Sequence, residues 1–161
     1  IATMITMNGT IEDLKELELT YSPMFSTAKD VVNMAALVAT NILENRFKQI
    51  HVDEVRALVE KDAYILDVRE VGEFANGHIK NAVNIPLSEL RERMNEIPKE
   101  RTVYVHCRSA QRSYNAVMAL LHNGYENVYN VSGSFLGICL YEYFNDQIKN
   151  REPIVTQYNF K

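Results

Sequence analysis

From about residue 49 onward, short apolar runs alternate with stretches whose apolar residues recur every three or four positions. The short, uniformly apolar runs indicate buried strands, whereas the longer spacing is typical of amphipathic helices. Strands are predicted at residues 50–52, 64–66, 82–85, 102–105 and 128–131, and helices at residues 53–59, 88–96, 113–122 and 135–144. This alternation predicts an α/β fold, with a parallel sheet of about five strands and helices on both faces.

The first 44 residues have a different pattern. Thr10 begins a predicted helix, residues 21–23 form a Tyr-Ser-Pro turn, and residues 31–43 are mostly apolar. A segment of this length cannot bury a core of its own and is expected to dock on something else. We therefore expect two parts, residues 1–44 and a domain at residues 45–161 that ends in a short tail.

Charge and composition narrow the class of protein. The net charge of -4 and the lack of basic tracts argue against nucleic acid as a partner. No stretch approaches the roughly 20 apolar residues of a membrane-spanning helix, and no secretory leader is recognisable. Two cysteines are too few for a disulfide scaffold, so a reducing cytoplasm is expected. The chain opens at Ile1 rather than Met, which suggests an excerpt of a longer protein.

The segment from Cys107 to Ser113 carries the candidate chemistry. It connects a predicted strand to a helix, and ligands of open α/β sheets bind beyond the carboxyl ends of the strands. The N–H groups and dipole of the following helix, and the charges of Arg108 and Arg112, would all favour the Cys107 thiolate. The thiolate is the reactive form of cysteine, so Cys107 is the candidate nucleophile.

The spacing of this segment separates two chemistries. Cys107 and Arg112 are related as Cys-x4-Arg, whereas phosphatase loops use Cys-x5-Arg and cradle a tetrahedral phosphate. The shorter loop suits a single sulfur atom held on Cys107 as a persulfide. His106 before the cysteine and Arg112 before Ser113 give the segment a phosphatase-like character, so that alternative stays open.

The chain resembles the rhodanese family of sulfurtransferases over roughly residues 49–146. The resemblance rests on four ordered stretches, residues 66–70 with 73–74, 77–79, 82–86 and 107–113. It implies double displacement, in which Cys107 takes a sulfane sulfur from thiosulfate, a polysulfide or a thiol persulfide. A thiol or cyanide then removes the outer sulfur, without any metal or cofactor in this part of the chain.

The remaining loop residues have supporting parts in this interpretation. Arg108, Ser109, Ala110, Gln111 and Arg112 would form the substrate-binding loop. We expect Arg108 to contact an anionic donor, and Arg112 either to do the same or to brace the loop.

Outside the loop, Asp67 is expected to accept backbone N–H bonds at the end of its strand, with a catalytic acid role as the alternative. We expect Arg69, Glu70 and Glu73 to form a local set of ion pairs. His78 and His106 lack the spacing of metal ligands. Cys139 is expected to be a buried packing residue, with a resolving-thiol role as the alternative.

Residues 10–35 resemble the end of the dimerisation domain of FAD-dependent pyridine nucleotide-disulfide oxidoreductases, especially coenzyme A-disulfide reductases. The resemblance rests on residues 10–14, 17–23, 26–30 and 32–35. Some of those enzymes carry a C-terminal rhodanese domain, so FAD and NAD(P)H are expected in a missing part of the parent protein. The expected partners are small sulfur donors such as coenzyme A persulfide, thiol acceptors, the missing reductase domains and a second copy of the chain. Tyr21 is a candidate for approaching the partner subunit's redox site.

Three functions remain open at this point. The first is a rhodanese-type sulfurtransferase, and the second is a phosphatase or arsenate-reductase-like enzyme that uses the same Cys-Arg loop. The third is a non-catalytic module that carries sulfur for the parent reductase or docks on it.

Overall fold

A computed structural model of the 161-residue chain describes residues 1–25 and 28–160. Two compact units, residues 1–46 and 47–161, divide the chain. Ser26 and Thr27, which belong to the reductase-like stretch, lie outside the described residues. Within the described ranges, no helix is both long and apolar enough to cross a membrane.

The first unit is helical. Its helices are α1 (Ala2–Thr6), α2 (Ile11–Glu16) and α3 (Val31–Leu43), with a 3-10 turn at Pro23–Phe25. Thr10 caps α2 as predicted, because its hydroxyl accepts the Asp13 N–H while the Asp13 carboxylate accepts the Thr10 N–H. Ala36 is the one buried residue among those described in this unit. The described residues of this unit therefore form no hydrophobic core of their own.

The second unit contains a five-stranded, all-parallel sheet with strand order β1-β5-β4-β2-β3. The strands are β1 (Lys48–Ile50), β2 (Tyr64–Asp67), β3 (Val83–Asn84), β4 (Val103–His106) and β5 (Val128–Val131). The helices of this unit are α4 (Val55–Glu60), α5 (Val71–Ala75), α6 (Gln111–His122) and α7 (Ser134–Lys149). The sheet confirms the predicted fold class, and β4 is its central strand.

The predicted helix at residues 88–96 is wrong. The structure has turns there, followed by a 3-10 turn at Met94–Glu96. Most of its backbone hydrogen bonds span three residues rather than four, for example from Leu90 N–H to the Leu87 carbonyl. Leu90 and Ile97 are nevertheless buried, because apolar residues at this spacing can line one side of a series of turns as well as of a helix.

The C-terminal tail packs into the core of the second unit. Val155 forms an antiparallel bridge with Ile79, and both residues are buried together with Ile154. Two further hydrogen bonds, Thr156 N–H to the His78 carbonyl and Lys80 N–H to the Ile154 carbonyl, hold the tail in place. The tail is thus part of the domain rather than a free extension, and it supports the segment that precedes β3.

Candidate active site

Cys107 is the first residue after the central strand β4. Because all five strands are parallel, the carboxyl ends of the neighbouring strands β2 and β5 lie at the same edge of the sheet. The chain turns sharply from Cys107 into α6, and Ala110 precedes that helix in a left-handed conformation with φ of 78°. Such a conformation costs a residue with a Cβ about 1–2 kcal/mol. This conformation lets the loop turn around the Cys107 side chain before α6 begins.

Hydrogen-bond donors surround the sulfur of Cys107. Burial by itself raises the pKa of the Cys107 thiol, but several donors outweigh it and lower the pKa below its ordinary value. These donors are the N–H and hydroxyl of Ser113, the N–H of Ser109 and the hydroxyl of Ser134. The site therefore stabilises the thiolate, with amides and hydroxyls as its main source of stabilisation.

Ser134 is a site residue that the sequence analysis missed. Its hydroxyl accepts the Cys107 N–H at 3.2 Å and lies 3.9 Å from the Cys107 sulfur. The same hydroxyl lies 3.2 Å from the Val131 carbonyl, so its single proton can be given either to that carbonyl or to the sulfur. The available signal was the Ser132-Gly133 turn that follows β5 and precedes Ser134, but only the strand order places β5 beside β4.

The two arginines of the loop have different environments. The Arg112 guanidinium binds the Glu73 carboxylate through two hydrogen bonds of 2.6 and 2.8 Å. The Arg108 guanidinium is half-buried and forms no hydrogen bond or ion pair within residues 1–25 and 28–160. Arg112 is thus engaged in holding the loop to α5, whereas Arg108 is free to contact a ligand. Ser109 and Gln111 are exposed on the same loop.

Asp67 and Arg69 form a buried pair beside the loop. One Asp67 carboxylate oxygen accepts the Arg69 N–H at 3.0 Å, and the other lies 2.6 Å from Arg69 Nη2. Arg69 also donates to the Gly77 carbonyl and stacks on the Phe135 ring at 3.9 Å. The predicted local set of Arg69, Glu70 and Glu73 is therefore wrong, because Asp67 is the nearer carboxylate and pairs with Arg69 inside the protein.

The histidines contact neighbouring backbone and rings. Burial lowers the pKa of His106 although Asp67 acts in the opposite direction, so its ring is neutral near pH 7. Its Nε2 lies 3.6 Å from the nearest Asp67 oxygen and has no hydrogen-bond partner among the described residues. His78 stacks on Phe74 at 3.9 Å. Across the described residues, no group of three or more potential ligands could hold a metal ion.

Cys139, the second cysteine, is fully buried in the hydrophobic core. Burial raises the pKa of its thiol, in contrast to that of Cys107. The two cysteines therefore differ in reactivity, and Cys139 provides a matched control for experiments on Cys107.

Fold, loop and sulfur environment together define a class of protein that presents a cysteine thiolate at the end of a central parallel strand. The family profile of the Rhodanese-like domain matches residues 51–140, and the chain belongs to this family. A sulfurtransferase of Allochromatium vinosum is 40% identical over 76 residues, which cover 47% of this chain and 71% of the relative. The comparisons thus place the chain within sulfur-transfer chemistry.

Two solved structures match beyond the rhodanese-like domain. Reduced CoADR-RHD of Bacillus anthracis has a TM-score of 0.78 at 42% identity and covers 83% of this chain. The NAD-dependent persulfide reductase of A. fulgidus has a TM-score of 0.72 at 38% identity and covers 82%. The chain spans only 24% and 23% of these two proteins. It therefore corresponds to a rhodanese domain that is tied to a reductase in both of them.

Proposed function

We propose that this chain is a sulfurtransferase in which Cys107 carries sulfane sulfur as a persulfide. The observation that carries the proposal is the ring of amide and hydroxyl donors around the buried Cys107 sulfur. These donors lower the pKa of Cys107 and can equally hold the negative charge of a bound persulfide. The Cys-x4-Arg loop is one residue shorter than a phosphatase loop, and its Arg112 is already paired with Glu73. Both features favour a bound sulfur atom over a bound phosphate group.

The transfer proceeds in two displacements. The Cys107 thiolate attacks the outer sulfur of a persulfide R–S–SH, the S–S bond of the donor breaks, and R–S⁻ leaves. Cys107 then carries the outer sulfur as Cys–S–SH. An acceptor thiolate or cyanide attacks that sulfur and restores the Cys107 thiolate. Both steps exchange one sulfur–sulfur bond for another bond to sulfur, so neither needs a metal or an external oxidant.

Different roles follow for the two loop arginines. Arg108 has an unpaired guanidinium next to the nucleophile and is suited to attract an anionic donor such as thiosulfate. Arg112 holds the loop through Glu73 and acts as a positioning residue. The buried pair of Asp67 and Arg69, at the end of β2, also acts as a positioning pair next to the loop.

The parent protein, in this proposal, is a coenzyme A-disulfide or persulfide reductase. A match to 83% of 161 residues is about 134 residues, which exceeds the 115 residues of the second unit, so the match includes part of the first unit. Residues 1–44 would then be the end of its dimerisation domain. FAD and NAD(P)H would bind to other domains of that cytoplasmic parent, and Cys107 would exchange sulfur with its thiol substrate.

Turnover with cyanide tests the proposal. We expect the chain to form thiocyanate from thiosulfate or polysulfide, Cys107→Ala to form none above background, and the matched control Cys139→Ala to keep the activity. Hydrolysis of an aryl phosphate without any thiocyanate would contradict the proposal in favour of the phosphatase. If Cys107 accepts sulfur but turns over too slowly to release it, the chain is a sulfur carrier rather than an enzyme.

A further inference from the structure

The first turn of α7 contacts the loop that connects β4 to α6, and the mechanism above gives this contact no role. The Phe135 N–H donates to the Cys107 carbonyl at 3.0 Å, and the Leu136 N–H donates to the Arg108 carbonyl at 3.1 Å. The N–H groups in the first turn of a helix have no acceptor within the helix itself. In α7, two of these groups are bound to the two residues at which the loop begins.

The hydrogen bond from Leu136 fixes the direction of the next N–H group in the loop. A trans peptide group is planar, so its carbonyl and its N–H point to opposite sides of the chain. Because Leu136 binds the Arg108 carbonyl, the N–H of the same peptide group, which belongs to Ser109, points away from Leu136. That N–H is one of the donors that lower the pKa of the Cys107 thiol. The Leu136 amide therefore determines whether this peptide group presents a donor or a carbonyl oxygen to the sulfur.

The first turn of α7 is packed tightly against the rest of the domain. The Phe135 side chain is fully buried, and the Arg69 guanidinium lies over its ring at 3.9 Å. Gly133 and Gly137 approach Val52 so closely that a Cβ on either glycine would lie 3.2 Å from Val52 Cγ1, which is closer than ordinary van der Waals contact. Because these contacts leave little room for the first turn to shift, its amides occupy fixed positions against the loop.

We infer, on the basis of the proposed function, that the first turn of α7 positions the loop for sulfur transfer and that Leu136 is a positioning residue through its main-chain amide. The bond from Leu136 holds the peptide group between Arg108 and Ser109 in the orientation that presents an N–H to the Cys107 thiolate. After loading, the same N–H faces the persulfide anion. Without that bond the peptide group can turn, and its carbonyl oxygen then repels the negative charge on sulfur.

An ester replacement at Leu136 tests this positioning role. Incorporating the α-hydroxy acid analogue of leucine at this position of the full chain replaces the N–H by an oxygen atom and leaves the side chain unchanged. We expect the pKa of Cys107 to rise. The rate constant for sulfur loading from polysulfide near pH 7 should fall about tenfold, which corresponds to the loss of one hydrogen bond to the anion. Thiolate absorbance across pH and the gain in protein mass over time measure the two quantities.

The same ester at Leu140 is the matched control. The Leu140 N–H donates within α7 to the carbonyl of Leu136, so its replacement removes one hydrogen bond from the same helix but leaves the bonds to the loop in place. Denaturation by urea should show similar losses of stability for the two esters, whereas the Leu140 ester should keep the wild-type pKa and loading rate. Two esters with the same pKa and the same loading rate would overturn the inference and leave the proposed function intact.

Nuclear magnetic resonance tests the same role on the unmodified chain. The amide proton of Ser109 should move downfield as Cys107 ionises, and the amide of Leu136 should exchange slowly with solvent although it lies in the first turn of a helix. A Ser109 resonance that does not respond to the ionisation, or a Leu136 amide that exchanges as fast as an unbound one, would overturn the inference alone. A wild-type chain that takes up no sulfur from polysulfide would overturn the proposed function as well.

Discussion

At the scale of single residues, hydrogen-bond donors are the main effect that favours the thiolate of Cys107. The sequence analysis relied on Arg108, Arg112 and the helix dipole to favour the thiolate. In the structure, the largest effects that lower the pKa come from Ser113, Ser109 and Ser134, and Glu73 engages Arg112. The charges of arginines can be identified from a sequence. The position of the Ser134 hydroxyl cannot be identified in this way, because Ser134 follows β5 and reaches Cys107 only because β5 lies beside β4.

Ser134 provides a prediction at this scale. Replacing Ser134 by Ala removes a donor to the Cys107 sulfur and should raise the pKa of Cys107, since that hydrogen bond favours the thiolate over the thiol. The ultraviolet absorbance of the thiolate, measured across pH against a Cys107→Ala baseline, reports this pKa. Ser132→Ala is the control, because its side chain forms no hydrogen bond in the described structure. Equal titration midpoints for wild type and Ser134→Ala would rule out this role.

At the scale of elements, the sequence predicted the strands better than the segments between them. The fifth strand was predicted with the observed bounds, and the others differ by one or two residues at either end. The final helix continues to Lys149, five residues beyond its predicted end. The residues after Phe144 are mostly polar, so the apolar pattern did not extend the predicted helix over Asp146. Asp146 is buried, as is Glu142 within the predicted helix, because Arg56 from a distant part of the chain and the nearby Arg151 pair with both carboxylates.

This buried charge cluster provides a prediction on stability. Arg56 binds both Glu142 and Asp146, and Arg151 binds the same two carboxylates. Replacing Arg56 by Met leaves two buried carboxylates with one arginine, so the free energy of unfolding should fall by about 3 kcal/mol. Denaturation by urea at pH 7 measures the change.

Lys80→Met is the control for Arg56→Met. Its ion-pair partner, Glu152, is 86% exposed, so the loss of that pair should cost less than about 1 kcal/mol. Equal effects of the two substitutions would show that the buried cluster contributes no more than a surface ion pair.

At the scale of the whole molecule, the chain combines a rhodanese-like domain with a helical segment whose described residues form no core of their own. The ordered motifs were sufficient to predict the family, because four stretches in the family's order are far more specific than a single short motif. The C-terminal tail was predicted as the end of the domain but not as part of its core, since Ile154 and Val155 form too short an apolar run to indicate a strand. Only the presence of Ile79 opposite Val155 gives that run a place in the core.

The central claim is that Cys107 holds the transferred sulfur, and the intact mass of the protein tests it most directly. After incubation with polysulfide and removal of excess donor, the wild-type chain and Cys139→Ala should each gain the mass of one sulfur atom. Cys107→Ala should gain none, and treatment of the loaded wild type with cyanide should restore the original mass. A wild-type chain that gains no sulfur, or a Cys107→Ala chain that gains as much as wild type, would contradict the account.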